Sequence, residues 1–125
     1  MSIDRITLPL LRMREEALNA VAFLGSLDHQ EFLDDIKTQH AIAMTLIVLG
    51  EIATQLDRDH PDFTAQNPTL PWVEMRAMRN AAAHGYHKLE FESVWLIVKI
   101  ALPKMIAQLD SIIPTRDLSG VDVDT

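Results

Sequence analysis

Met75-Arg76-Ala77-Met78-Arg79-Asn80-Ala81-Ala82-Ala83-His84-Gly85-Tyr86-His87-Lys88 is the stretch from which the rest of this 125-residue chain can be ordered. Pro71-Trp72 opens it as a helix with proline in the first turn, Glu74, Met75 and Met78 continue it, and Gly85 stops it. Toward the C-terminus, Phe91, Trp95, Val98, Leu102, Met105, Leu109 and Ile112 recur in alternating steps of four and three, which is one face of a helix. Glu90 and Glu92 suit the positive end of its dipole, and Pro103 removes one helical hydrogen bond and predicts a bend. Toward the N-terminus, residues 41–53 are apolar nearly all round, as expected of a central helix packed on several sides. Its segment begins near Asp28, where Asp28 and Glu31 have capping-box spacing, and Phe32, Leu33 and Ile36 start its apolar face. A break between Asp34 and Gln39 is compatible with this pattern. The helix stops before Pro61, in a polar loop running through Asn67-Pro68.

The first segment covers residues 3–24, with Leu11, Leu18, Val21 and Leu24 at helical spacing and Arg12, Arg14, Glu15 and Glu16 solvated. Pro9 places its regular part after a cap at Thr7 or Leu8, and Gly25 ends it. Four helical segments with short connections make an all-α bundle over residues 1–113, followed by a polar tail over 114–125. This is a one-domain length, and a chain of this size buries roughly two-thirds of its unfolded surface without needing staples.

Composition narrows the function classes. The absence of cysteine removes disulfides, thiolate metal sites and a cysteine nucleophile. No apolar run is long enough to span a bilayer, and the first residues, with Asp4 and Arg5, lack the pattern of a signal peptide, so a cytoplasmic domain is expected. Eleven Lys and Arg against eighteen Asp and Glu give a net charge of −7. Bulk charge therefore cannot drive binding to nucleic acid, and an RNA-binding role requires a local basic site.

The quoted stretch supplies one. Arg76, Arg79, His84, His87 and Lys88 fall within thirteen positions, beside three alanines that let a backbone or ligand approach closely. Arginine is a permanent forked cation suited to phosphate, and histidine exchanges a proton near neutral pH. With the Tyr86 hydroxyl these are the parts of a metal-free phosphodiester-cleaving site. Arg79 and His84 are five apart, so on one ideal helix they diverge by about 140°. Either the helix unwinds at Gly85 and redirects His84, or the site is completed across a two-fold axis, where paired arginines and histidines would concentrate positive charge. His84-x-x-His87 has metal-pair spacing, but no third ligand follows at a fitting distance.

The residues from Arg79 to Tyr86 match R-x4-H-x-Y, and the chain resembles the HepT-like toxins of the HEPN superfamily of helical ribonucleases over roughly its first 110 residues. Leu49-Gly50-Glu51 is similar to the family's I-G-E, Pro71-Trp72 and Met78-Arg79-Asn80 to its P-W and M-R-N, and Val94-Trp95 and Leu102-Pro103 to its V-W and L-P. The resemblance implies a homodimeric, metal-independent endoribonuclease toxin needing no cofactor. Arg79 and His84 would be its catalytic residues, with Asn80 in support. It also implies, as partner, a minimal nucleotidyltransferase antitoxin that adenylylates Tyr86. Arg76, His87 and Lys88 are the further RNA-binding candidates. The chain departs from the common pattern in its three alanines before His84 and in His87, where an aromatic is frequent.

Blander readings exist for each residue. Arg79 could be a surface cation, His84 a C-terminal cap, Tyr86 a packing residue, and Glu51 a buried carboxylate paired with an arginine. Rival functions are a non-catalytic helical module that binds nucleotides or a protein partner, and a scaffold that only oligomerises.

Overall fold

The computed structural model describes residues 5–84 and 90–118, and every regular element among them is helical. In order these are α1 (Thr7–Leu24), α2 (His29–Leu33), α3 (Ile36–Asp59), α4 (Pro61–Gln66), α5 (Trp72–Ala83), α6 (Phe91–Leu96), a π-helical turn (Ile97–Ala101) and α7 (Leu102–Ile112). The long helices are the four expected segments. Helix α3 is the axis, packing on α1 along one side and on α5 along another, while α1 also meets α7.

Capping decides where α2 gives way to α3. Asp28 accepts from the Glu31 N–H at 2.8 Å and Glu31 returns a bond to the Asp28 N–H at 2.9 Å, the reciprocal box read from their spacing. Asp35 then caps the next helix by accepting from the Thr38 N–H at 3.0 Å and from its hydroxyl at 2.8 Å. The Gln39 amide bonds the carbonyls of Phe32 and Leu33, which α2 would otherwise leave unpaired. The compatible break is thus real.

Several expectations need correction. Thr7 is the first helical residue of α1 rather than its cap, and Pro9 sits in the first turn, where a missing N–H costs nothing. The loop after α3 contains the short helix α4, held because Thr64 is buried and donates to Asp57 at 2.7 Å. The tail does not leave the bundle at Pro114, since residues 115–118 are helical and Leu118 packs against the core. Residues 119–125 lie outside the described part.

Pro103 acts differently from a simple bend. Its ring cannot donate to the carbonyl four residues back and crowds it, and the preceding turn is wide: the Leu102 N–H bonds the Ile97 carbonyl, five residues back. The apolar face continues through this turn with Val94, Val98, Leu102, Met105 and Leu109 all buried. Residues 41–53 are less fully enclosed than their composition suggests. Ile42, Leu46, Leu49 and Ala53 are buried, but Met44 is 60% exposed and Ile47 and Val48 are half-buried.

Phe32 packs among aromatic rings. It is fully buried, with Phe91 edge-on at 6.2 Å and Trp95 at 5.9 Å between ring centroids. Phe32→Ala is expected to lower unfolding free energy by about 3–5 kcal/mol, measured by denaturant titration. A loss below about 1 kcal/mol would contradict this account of the core.

Candidate functional site

Helices α3 and α5 run against each other along a stripe of α3 made by Gly50, Thr54 and Asp57, one helical turn apart. Gly50 is there because nothing else fits. A Cβ on it would overlap the Arg79 Cβ and stand 2.6 Å from the Met75 carbonyl oxygen, so the two backbones touch across a missing side chain.

Arg79 therefore starts directly above Gly50 and can only leave sideways over α3. There its Nη2 donates to the Thr54 hydroxyl at 3.2 Å, and its Nε lies 3.3 Å from Glu51 Oε1. The Thr54 hydroxyl spends its own hydrogen on the Gly50 carbonyl at 2.8 Å, so toward Arg79 it can only accept. The Nε–H is buried and off line for a hydrogen bond to Glu51, which leaves an ion pair rather than a bonded one. A wholly unpaired buried donor costs about 1–3 kcal/mol, and the nearby carboxylate reduces that. Glu51 is thus paired with an arginine, as expected, but it is not buried: its side chain is 51% exposed.

One turn earlier, Arg76 Nη1 donates to Asp57 Oδ2 at 2.7 Å. The Thr64 hydrogen bond, foremost, holds the Asp57 carboxyl below its ordinary value against desolvation, with the Arg76 hydrogen bond and charge adding to the lowering. Arg76 is accordingly a strut joining α3, α4 and α5. The sequence suggested a free cation cluster, whereas both described arginines of the stretch face a carboxylate.

Asn80 and His84 are exposed. His84 follows the last helical residue, with φ −84° and ψ −4°, and its N–H bonds the Asn80 carbonyl at 3.1 Å. It keeps the right-handed helical sense, so its direction is not reset relative to Arg79 before Gly85. Gly85, Tyr86, His87 and Lys88 lie outside the described residues, and so do the modification and two of the RNA-binding assignments made on them. Among the described residues no three His, Asp or Glu side chains gather as a metal site. No described helix is long and apolar enough to cross a membrane.

Trp72 and Met75 are core residues, Trp72 donating its indole N–H to the Asn67 carbonyl at 2.9 Å. His29 meets Glu92 at 2.8 Å and packs on Trp95. Sequence reasoning missed Gly50, Thr54 and Asp57 as partners of the arginines. The available signal was a glycine in a long apolar helix, which costs helix stability unless a close approach requires it.

Residues 13–112 match the family described as Ribonuclease HepT-like. A protein of Methanocaldococcus jannaschii carrying an RNase name is 32% identical over 108 residues, 86% of this chain and 85% of that one. "Probable ribonuclease HepT" of Thermococcus cleftensis is 29% identical over 90 residues, 72% of this chain and 79% of its own. No solved structure gives a significant match.

Gly50→Ala is expected to destabilise the protein although alanine is the better helix former. The gain of about 1 kcal/mol in helix propensity is outweighed by overpacking of about 1–3 kcal/mol against a backbone carbonyl that cannot rotate away. An unchanged or raised melting temperature in calorimetry would refute the close approach.

Proposed function

Because the chain belongs to the ribonuclease HepT-like family, we propose that it is a metal-independent endoribonuclease and the toxin of a toxin–antitoxin pair. The observation that carries this reading is Arg79: a guanidinium anchored to α3 on one edge, 28% exposed, on a helix that ends in an exposed histidine.

The chemistry requires no external nucleophile. The ribose 2′-oxygen attacks the neighbouring phosphorus while His84 takes its proton, or His84 delivers a proton to the departing 5′-oxygen. Arg79 stabilises the charge that grows on the non-bridging oxygens. The products are a 2′,3′-cyclic phosphate and a 5′-hydroxyl. Asn80, exposed on the same turn as Arg79, orients substrate or His84. Arg76 contributes to RNA binding through the N–H groups not given to Asp57, and His87 and Lys88 extend the same cationic run.

Two features support a homodimer in which the site is completed by the second copy. His84 retains the helical screw that turns it away from Arg79. Beside Glu51, the exposed Met44 and half-buried Ile47 and Val48 form an apolar strip that a second copy would cover.

Purified protein is expected to cleave RNA with a chelator present, and Arg79→Ala or His84→Ala to lower turnover by about 10²-fold or more while leaving the melting temperature unchanged. Mixing the two variants should restore part of the activity if each site draws on both copies. Full activity in His84→Ala, the result a non-catalytic binding module with contaminating nuclease would give, overturns the mechanism.

The partner on this reading is a minimal nucleotidyltransferase that adenylylates Tyr86. Attaching AMP exchanges a hydroxyl for an anionic phosphodiester and a purine within the motif that must receive the RNA phosphate. Intact-mass measurement after incubation with the transferase, ATP and Mg²⁺ should show added AMP on wild type and none on Tyr86→Phe, which should still cleave RNA. AMP found on serine or threonine, with Tyr86 unmodified, would reject the assignment.

A further inference from the structure

The two arginines of the α3–α5 seam are held by opposite edges. A guanidinium offers two forks: a side-on edge made by Nε–H and the adjacent Nη2, and an end-on edge made by Nη1 and the second N–H of Nη2. Asp57 takes Arg76 at Nη1, on the end-on edge. Thr54 and Glu51 meet Arg79 at Nη2 and Nε, the two nitrogens that make up the side-on edge. Among the described residues nothing accepts a hydrogen bond from Arg79 Nη1, and buried unbonded polar atoms are confined to Arg79 Nε.

We infer that Glu51 and Thr54 are positioning residues that clamp the side-on edge of Arg79 and leave its end-on edge as the fork that grips a phosphate. The phosphate in this statement rests on the ribonuclease reading above, whereas the clamp rests on geometry alone. Each part of the device has a reason. Gly50 removes the side chain that would lift Arg79 off α3. Thr54, one turn on, is turned into a pure acceptor by its bond to the Gly50 carbonyl. Glu51, next to Gly50, supplies the charge that keeps the buried Nε–H on that side.

Glu51 opposes as well as assists. Its negative charge 3.3 Å from Nε weakens the attraction of Arg79 for a ground-state phosphate. Its orienting effect matters most when charge develops on the phosphoryl oxygens, because a misaligned donor then loses its bond. The clamp therefore predicts a split between kinetic constants that loss of folding would not produce. Removing Glu51 should lower kcat and leave KM equal or lower.

The test is steady-state cleavage of an oligoribonucleotide by Glu51→Ala, Glu51→Gln, Thr54→Val and Thr54→Ser, with the Arg79 Nε–H resonance followed by nuclear magnetic resonance. That resonance is assigned by its loss in Arg79→Ala. Expected for Glu51→Ala is a kcat lower by about tenfold or more at unchanged or reduced KM, with Glu51→Gln intermediate because it loses the charge but keeps a polar oxygen of the same reach beside Nε. Thr54→Val should fall by several-fold and Thr54→Ser should stay within about twofold of wild type, since serine retains the accepting hydroxyl. The Nε–H resonance should shift in Glu51→Gln and in Thr54→Val. Turnover within about twofold of wild type in both Glu51→Ala and Thr54→Val overturns the positioning role. An Nε–H resonance unmoved in both Glu51→Gln and Thr54→Val overturns the clamp itself. A wild-type protein that cleaves no RNA would instead remove the ribonuclease reading, and the resonance would still decide the clamp.

Discussion

The contact between the backbones of α3 and α5 at Gly50 is the constraint on which the rest of the site depends. It places the Met75 carbonyl and the Arg79 Cβ against a helix surface with no side chain between them. From that single approach follow the sideways exit of Arg79, its bond to Thr54 and its proximity to Glu51. The same approach brings Arg76 within 2.7 Å of Asp57 one turn away, and Asp57 in turn holds Thr64 of α4. These exposed or half-exposed pairs add little stability individually. Their effect is to set direction.

Direction matters more than attraction in this protein. The net charge of −7 and the pairing of both described arginines with carboxylates leave no surplus of positive charge along the seam. A polyanion gains little from approaching such a surface, so counterion release cannot supply much of the affinity. Catalysis asks for something else. Only interactions that strengthen as the transition state forms accelerate a reaction, and a fixed donor aimed at developing charge is of that kind. A seam neutral at rest, with one oriented guanidinium edge open, suits turnover better than tight binding. On the proposed reading this also limits indiscriminate capture of RNA.

How much of this was legible in the sequence differs by length scale. Asp28 with Glu31, Gly25, and the run from Phe91 to Ile112 could be read because caps, stops and helix faces are set by residues within one or two turns. Helix α4 was not legible, because it is held by Thr64 bonding to Asp57 across the end of α3 rather than by its own pattern. Pro103 announced a disturbance but not its form: whether a proline bends a helix or widens the preceding turn depends on what the turn packs against. Arg79 and His84 stood out from their chemical types. Glu51 could be read as the partner of an arginine but not of which one, and Thr54 and Asp57 could not be read at all, since these residues lie 19 to 28 positions upstream of Arg76 and Arg79 and become neighbours only through the antiparallel crossing.

Arg79 and His84 are also held very differently, and the difference fits the work proposed for each. Arg79 is fixed from below by Gly50, along one edge by Thr54, and beside its Nε by Glu51. His84 is exposed and is held through its backbone bond to Asn80 at the helix end. A group that stabilises charge must be oriented before that charge appears, because reorienting it during the reaction would raise the barrier. A group that moves a proton must meet either the attacking or the leaving oxygen and must exchange with solvent between turnovers. A seam that immobilises the arginine and a helix terminus that leaves the histidine open meet both demands within six residues of one chain.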